Sequence, residues 1–144
     1  MAAKTFQKIL IPVDLSEKGR SMLDWARRMG GPETTAVLFH VIETLEDVPF
    51  EEMEAFYRRL EERAVEVLDD WVRELESEGL RAERRVVFGH RLEEVLNAAG
   101  AGVASPDLIL LRSHPVDPGS PGRGWATLSY RVAVLAPCPV LLVK

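Results

Sequence analysis

The sequence predicts an α/β fold: a three-layer sandwich in which helices cover both faces of a five-stranded parallel sheet. Apolar segments of strand length alternate with helical segments along the chain, which is typical of parallel strands joined by right-handed crossovers. The first of these segments is apolar without a break at 9–11, as expected for a strand buried on both faces. We expect the strand order 3-2-1-4-5, and the 144 residues suit a single domain over 1–144.

The strands are predicted at 8–13, 35–41, 84–88, 108–111 and Val140–Val143. The helices between them are predicted at 16–29, 50–78, 91–100 and 125–135. Asp14 or Ser16 would cap the first helix, since short polar side chains accept hydrogen bonds from free N–H groups there. The second helix would be about 43 Å long, against about 20 Å for a six-residue strand. Its first turns, at 48–56, are therefore expected to overhang the sheet as a mobile or partner-facing element.

Charge and composition exclude several classes of protein. Residues 43–84 hold 15 acids and 6 bases, whereas 105–144 hold two acids and four bases. Without a basic stripe, we expect no binding to nucleic acid. No apolar run approaches 18 residues and the first residues do not resemble a signal peptide, so we expect a cytoplasmic protein with no membrane segment. Cys138 is the single cysteine, which excludes an intrachain disulfide.

The fold class also predicts where a ligand would bind. In such sheets the binding crevice lies at the carboxyl ends of the strands, where the strand order reverses. Here that place is between the first and fourth strands, and the loops at 13–17 and 112–124 enter it. The pattern predicts the position of the binding site and does not identify the ligand.

Three segments resemble the universal stress protein family: ILIPVDLSE at 9–17, FHV at 39–41 and APCPVLLV at 136–143. The resemblance implies a Rossmann-like domain of the adenine nucleotide alpha hydrolase type, like the bacterial single-domain members. It also implies a homodimer paired through the edge strand Val140–Val143, because an apolar edge strand favours pairing.

Members of the universal stress protein family differ in whether they bind ATP. Family members that bind ATP carry a loop after the fourth strand with the pattern Gly, two residues, Gly, nine residues, Gly, then Ser or Thr. In this chain Arg112 and Pro115 stand in place of the first two glycines, the interval is one residue longer, and Ala126 precedes Thr127. Pro115 removes an N–H donor that a phosphate would need. The family's ATP loop is therefore degraded here.

Other positions favour a retained nucleotide site. Asp14 matches the acid that contacts adenosine in ATP-binding relatives. Pro12, Val13 and Val41 match positions that flank the adenine there. Gly119, Gly122 and Gly124 with Arg123 keep the loop flexible and cationic. The candidate ligand-binding residues are Pro12, Val13, Asp14, Val41, Arg112, Ser113, Gly122, Gly124, Thr127 and Leu128.

Several single residues have two readings. Asp14 is either a nucleotide contact or a helix cap, and Arg112 either binds phosphate or pairs with Asp14 or Asp117 and plugs the crevice. His114 is interpreted as a loop residue and Cys138 as a core thiol. The signatures of P-loop NTPases, dinucleotide enzymes and serine hydrolases are absent, so we expect no enzyme beyond slow incidental ATP hydrolysis.

Two functional hypotheses follow. The first is a stress-response interaction module: a dimer with a degraded ATP loop that acts through an unknown protein partner. The alternative is an adenine-nucleotide sensor that binds ATP, with Mg²⁺, through an altered phosphate loop.

Overall fold

In a computed structural model, which describes residues 5–100 and 105–144, five parallel strands form one sheet. The observed strand order is β3-β2-β1-β4-β5, as predicted. The strands are β1 Lys8–Pro12, β2 Thr35–Glu43, β3 Arg81–Gly89, β4 Leu108–Arg112 and β5 Val140–Val143. The α-helices are α1 Glu17–Arg20, α2 Met22–Met29, α3 Glu54–Ser77, α4 Arg91–Ala99 and α5 Leu128–Leu135.

Two apolar layers, one on each face of the sheet, make the molecule a three-layer sandwich. The alternation of side chains along a strand sends Ile9 and Ile11 to the layer beneath α2 and α3, whereas Leu10 points to the layer beneath α4 and α5. Both layers are fully buried along β1. The unbroken apolar run of the first strand therefore has the cause that the sequence predicted. No helix within the described ranges is long and apolar enough to span a membrane.

The beginning of the long helix differs from the prediction. A 3₁₀ turn, Phe50–Met53, precedes α3, and the Phe50 ring lies 5.1 Å from Tyr57 and 5.4 Å from Phe88 at the end of β3. The strands are also longer than expected: nine residues in β2 and β3 span about 30 Å, close to about 36 Å for the 24 residues of α3. The first turns are therefore held against the end of the sheet through Phe50.

The last helix is shorter than predicted. Residues 121–126 form a 3₁₀ turn, and α5 begins after Thr127, whose hydroxyl oxygen accepts a hydrogen bond from the Tyr130 N–H at 3.3 Å. Trp125, placed in the helix by the sequence, lies in that turn and is 63% exposed. Thr127 fixes the helix start because it supplies a side-chain cap that the glycines before it lack.

The two edges of the sheet differ in chemistry. The outer strand β3 carries Arg81, Glu83, Arg84 and Arg85, and it begins three residues before the predicted start because an edge strand tolerates charged side chains. Arg84 pairs with Asp69 of α3 at 2.8 Å. The other outer strand, β5, is Val-Leu-Leu-Val and carries no charge.

Candidate functional site

A cavity of about 250 Å³ opens at the carboxyl ends of β1 and β4, where the strand order reverses. This is the place that the fold class predicts for a ligand. Its wall has an apolar part and a polar part. The apolar side chains are Pro12, Val13, Met22, Phe39, Val41, Val95, Leu111, Pro115 and Leu128; the polar residues are Asp14, Lys18, His40, Arg91, Arg112, Ser113 and His114, and Gly19 completes the wall.

The turn after β1 holds Asp14 at the rim of the cavity. Its Oδ1 atom accepts hydrogen bonds from the Ser16 N–H, at 2.9 Å, and from the Ser16 hydroxyl. Ser16 is the residue that caps α1, accepting from the N–H groups of Lys18 and Gly19 at 3.2 and 3.4 Å. Asp14 thus orders the turn through the capping residue.

The carboxyl of Asp14 is held ionised. Burial raises its pKa, but hydrogen bonds from the side chain and backbone of Ser16 and from the backbone of Gly19 outweigh that effect, and the charge of Arg91 adds to them. The net pKa lies below the ordinary value of 3.8. Asp14 is therefore a hydrogen-bond acceptor at neutral pH, suited to the hydroxyl groups of a sugar.

Gly19 is a wall residue for which close packing requires glycine. A Cβ at this position would lie 2.0 Å from the Asp14 carbonyl oxygen and 2.8 Å from its Oδ1. The first turn of α1 can therefore fold back onto Asp14 only without a side chain there. In the sequence Gly19 looks like an ordinary helix residue, because its contact with Asp14 is visible only in the fold.

Arg112 does not plug the crevice. Its guanidinium donates to the Ser21 hydroxyl at 3.2 Å, and it makes no ion pair among the described residues, so the expected pairing with Asp14 or Asp117 is not seen. The half-buried side chain lies in the cavity wall, and the cavity remains open beside it. Arg112 keeps its positive charge available for an anion.

Two further cations line the cavity, Lys18 on α1 and Arg91 at the start of α4. Arg91 also lies 3.3 Å from Glu43 at the end of β2. The place of Arg91 at the cavity is predictable from the sequence, because Arg91 follows the end of β3 and all strands of a parallel sheet end at the same edge. Lys18 follows Asp14 by four residues, and its place in a helix does not by itself indicate that it faces the cavity.

Both histidines of the wall are held by hydrogen bonds. His40 Nδ1 lies 2.8 Å from the Val13 carbonyl oxygen, so Nδ1 carries the proton of that contact. His114 Nδ1 and the His114 N–H each lie 3.1 Å from the Ser129 hydroxyl. Neither pairs with a carboxylate in the wall, and the described residues hold no group of three metal-ligating side chains.

The structure gathers seven of the ten candidate residues around the cavity: Pro12, Val13, Asp14, Val41, Arg112, Ser113 and Leu128. Gly122, Gly124 and Thr127 are not in the wall. The Thr127 hydroxyl donates to the Gly124 carbonyl at 2.7 Å and caps α5, which leaves it no proton for a phosphate. The glycine loop therefore stands apart from the cavity that the sequence expected it to complete.

Fold and cavity together define the class: a Rossmann-like α/β binding domain with its ligand cavity at the switch point of a parallel sheet. The model of the universal stress protein family matches residues 5–144. The chain belongs to the universal stress protein family, whose members take part in stress responses.

Similar solved structures extend over nearly the whole chain. One is the hypothetical protein MJ0577, at 25% identity and a TM-score of 0.78, with 98% of this chain and 97% of that chain covered. A universal stress protein in complex with cAMP has 16% identity, a TM-score of 0.68 and 98% coverage of both chains. A family protein from Arabidopsis thaliana with AMP bound has 17% identity and a TM-score of 0.64, covering 96% and 91%. No curated protein sequence matches the chain.

Proposed function

We propose that this protein is a non-catalytic sensor of an adenine nucleotide that acts as a homodimer. The observation that carries the proposal is the open cavity, which combines an apolar wall with one ionised carboxylate and three cations at the switch point of the sheet. A nucleotide has the matching parts: a flat base, a sugar with hydroxyl groups, and an anionic phosphate.

Each part of the ligand has a partner in the wall. The base would lie against Val13 and Val41, which are both buried at the ends of β1 and β2. The ribose hydroxyls would donate to Asp14. The phosphate would lie toward Arg112, because a guanidinium binds phosphate oxygens through two parallel hydrogen bonds. The two relatives solved with AMP and cAMP support this ligand class.

The open cavity favours the nucleotide sensor over the interaction module. The sequence favoured an interaction module without a productive ATP site, on the grounds of the degraded loop. An Arg112 filling the crevice would have supported that view, but a cavity of about 250 Å³ remains open. The Mg²⁺ of the ATP hypothesis has little protein support, since Asp14 is the one carboxylate among the wall residues.

The protein-interaction hypothesis, a dimer that acts through an unknown protein partner, stays as the second candidate. Strand β5 presents an apolar, unpaired edge, and the neighbouring helix α5 exposes Tyr130, Val134 and Leu135. An exposed apolar edge strand beside an exposed apolar helix face favours self-association. Dimerisation and nucleotide binding use different parts of the molecule, so the two functions are compatible.

Asp14→Asn tests the nucleotide proposal. We expect this variant to bind adenosine and AMP about tenfold more weakly, since a hydrogen bond to a charged acceptor is worth about 1.5–3 kcal/mol. Asp117→Asn is the matched control: Asp117 also accepts from a backbone N–H two residues ahead, at 2.9 Å, but lies outside the cavity wall. Isothermal titration calorimetry on both variants, with native mass spectrometry of the unmodified protein, measures the effect. A protein that stays bare at millimolar adenosine and AMP would contradict the proposal.

A further inference from the structure

We propose that the cavity binds one phosphate group through side chains, with Arg112 and Lys18 as the main contacts and Arg91 in support, and that it therefore selects a nucleoside monophosphate over a triphosphate. This inference rests on the proposed function, since it names the ligand class of the same cavity. In this proposal, positively charged side chains bind the phosphate in place of a backbone phosphate loop.

The backbone of the wall has no N–H group to spare for a phosphate at its fourth-strand side. The Ser113 N–H donates to the Val143 carbonyl at 2.7 Å, and the His114 N–H donates to the Ser129 hydroxyl at 3.1 Å. The next residue, Pro115, has no N–H. Three consecutive wall residues are thus unable to cradle phosphate oxygens through the backbone.

The glycine loop offers no substitute. The Thr127 N–H donates to the Gly124 carbonyl at 3.1 Å, and its hydroxyl donates to the same carbonyl at 2.7 Å. Gly124 is itself packed against Val116, where a Cβ would lie 2.7 Å from a methyl group. The Thr127 N–H and hydroxyl are therefore occupied by contacts within the loop and are not free to bind the second and third phosphates of ATP.

The side chains supply the missing positive charge. Three cations and one carboxylate line a cavity of about 250 Å³. Among the described residues Arg112 has a hydroxyl as its partner and forms no ion pair, whereas part of the Arg91 charge is taken up by Glu43 at 3.3 Å. Arg112 and Lys18 together match the charge of about −1.5 to −2 that a phosphate monoester carries at pH 7.

The volume of the cavity also favours a nucleoside monophosphate. The cavity lies below the range of about 300–1,000 Å³ that is usual for ligand pockets. A nucleoside with one phosphate fits such a site with its phosphate at the rim, and further phosphates would extend past the cations into solvent. Added phosphates should then contribute little affinity.

Titrations of adenosine, AMP, ATP and inorganic phosphate, in a buffer without Mg²⁺, test the inference. We expect AMP to bind at least about tenfold more tightly than adenosine, and ATP no more tightly than AMP. Arg112→Gln should bring AMP to within about threefold of adenosine. Arg123→Gln removes the same charge from the glycine loop and should change nothing. Ser21→Ala removes the contact of Arg112 but keeps its charge, so it should retain AMP binding.

Four results would overturn the inference, and they separate it from the proposed function. Equal binding of adenosine and AMP would leave the nucleoside site intact but remove the phosphate site. Tighter binding of ATP, weakened by Arg123→Gln, would assign the phosphates to the loop. Displacement of AMP by an equal concentration of inorganic phosphate would show a site for the free anion. Failure of adenosine and AMP alike would overturn the proposed function, and this inference with it.

Discussion

At the scale of single residues, Asp14 supports the helix cap at the turn after β1 without being the cap itself. It orders the turn after β1 by accepting from Ser16, and it faces the cavity. The sequence assigned the cap to Asp14 or Ser16, and the structure gives it to Ser16. A polar residue at a strand-to-helix turn satisfies both roles equally well, so local sequence alone does not separate them.

The lowered pKa of Asp14 makes stability depend on pH. Its folded pKa lies below the value of 3.8, so its contribution to the free energy of unfolding is present above about pH 3.8 and is lost as the pH falls through the folded pKa. We expect wild type to be more stable than Asp14→Asn at pH 6, with the difference shrinking toward pH 3. Urea unfolding at both pH values measures this, and Asp117→Asn is the control. A difference that is constant with pH would assign the effect to geometry alone.

Cys138 should be a slow nucleophile. Burial raises the pKa of this thiol, and the nearby charge of Asp107 raises it further, so the reactive thiolate is scarce at pH 7 to 8. We expect a disulfide reagent such as DTNB to react at least about tenfold more slowly with the folded protein than with the protein in urea. Asp107 is not a clean site for a control, because its carboxylate accepts from the backbone at 7 and 8. Equal rates in the two states would contradict the prediction.

At the scale of elements, the structure differs most from the prediction at the start of α3. The sequence predicts a helix at 50–78, but the contact of Phe50 with Phe88 joins residues 38 apart in the chain. Periodicity reports which face of a helix is apolar and carries no information about what lies opposite. The aromatic cluster of Phe50, Tyr57 and Phe88, with Arg58 above the two phenylalanine rings, became visible only in three dimensions.

Tyr57 ties this cluster to the loop that follows β2. Its ring is 1% exposed, and its hydroxyl accepts from the Leu45 N–H at 3.0 Å. We expect Tyr57→Phe to lower the free energy of unfolding by about 1–2 kcal/mol, because a part-buried N–H loses its acceptor. Phe56→Ala changes the neighbouring ring, which is 43% exposed, and should cost less than about 1 kcal/mol. Chemical denaturation measures both, and a larger loss for Phe56→Ala would contradict this account.

At the scale of the whole molecule, the sequence predicted the architecture better than the site. Alternating segments predicted the parallel sheet, because few topologies connect parallel strands without left-handed crossovers, and the expected strand order agrees with the structure. The start of β3 was missed since Arg81 and Glu83 look unlike a strand until their position at the edge is known. Lys18 and Arg91 were missed for a similar reason: they join the cavity from separate elements, and their meeting depends on the finished fold.

The proposed dimer gives a matched pair of substitutions. Leu142 on β5 and Val87 on β3 are both partly buried against the same core layer, and both lie on outer strands. We expect Leu142→Arg to give monomers at micromolar concentration, because the arginine places a charge at the pairing edge. Val87→Arg should remain dimeric with a similar loss of stability. Light scattering after size exclusion measures the mass, and a monomeric wild type would contradict the proposal.

The unlike edges of the sheet also decide how far self-association can proceed. Pairing two copies through β5 would create a continuous sheet of ten strands, and both of its outermost strands would be β3 with its arginines and glutamate. A third copy would then meet only charged borders, which resist further strand addition. Self-association would therefore stop at the dimer. The apolar edge at β5 permits pairing, and the charged edge at β3 protects the protein from forming fibres.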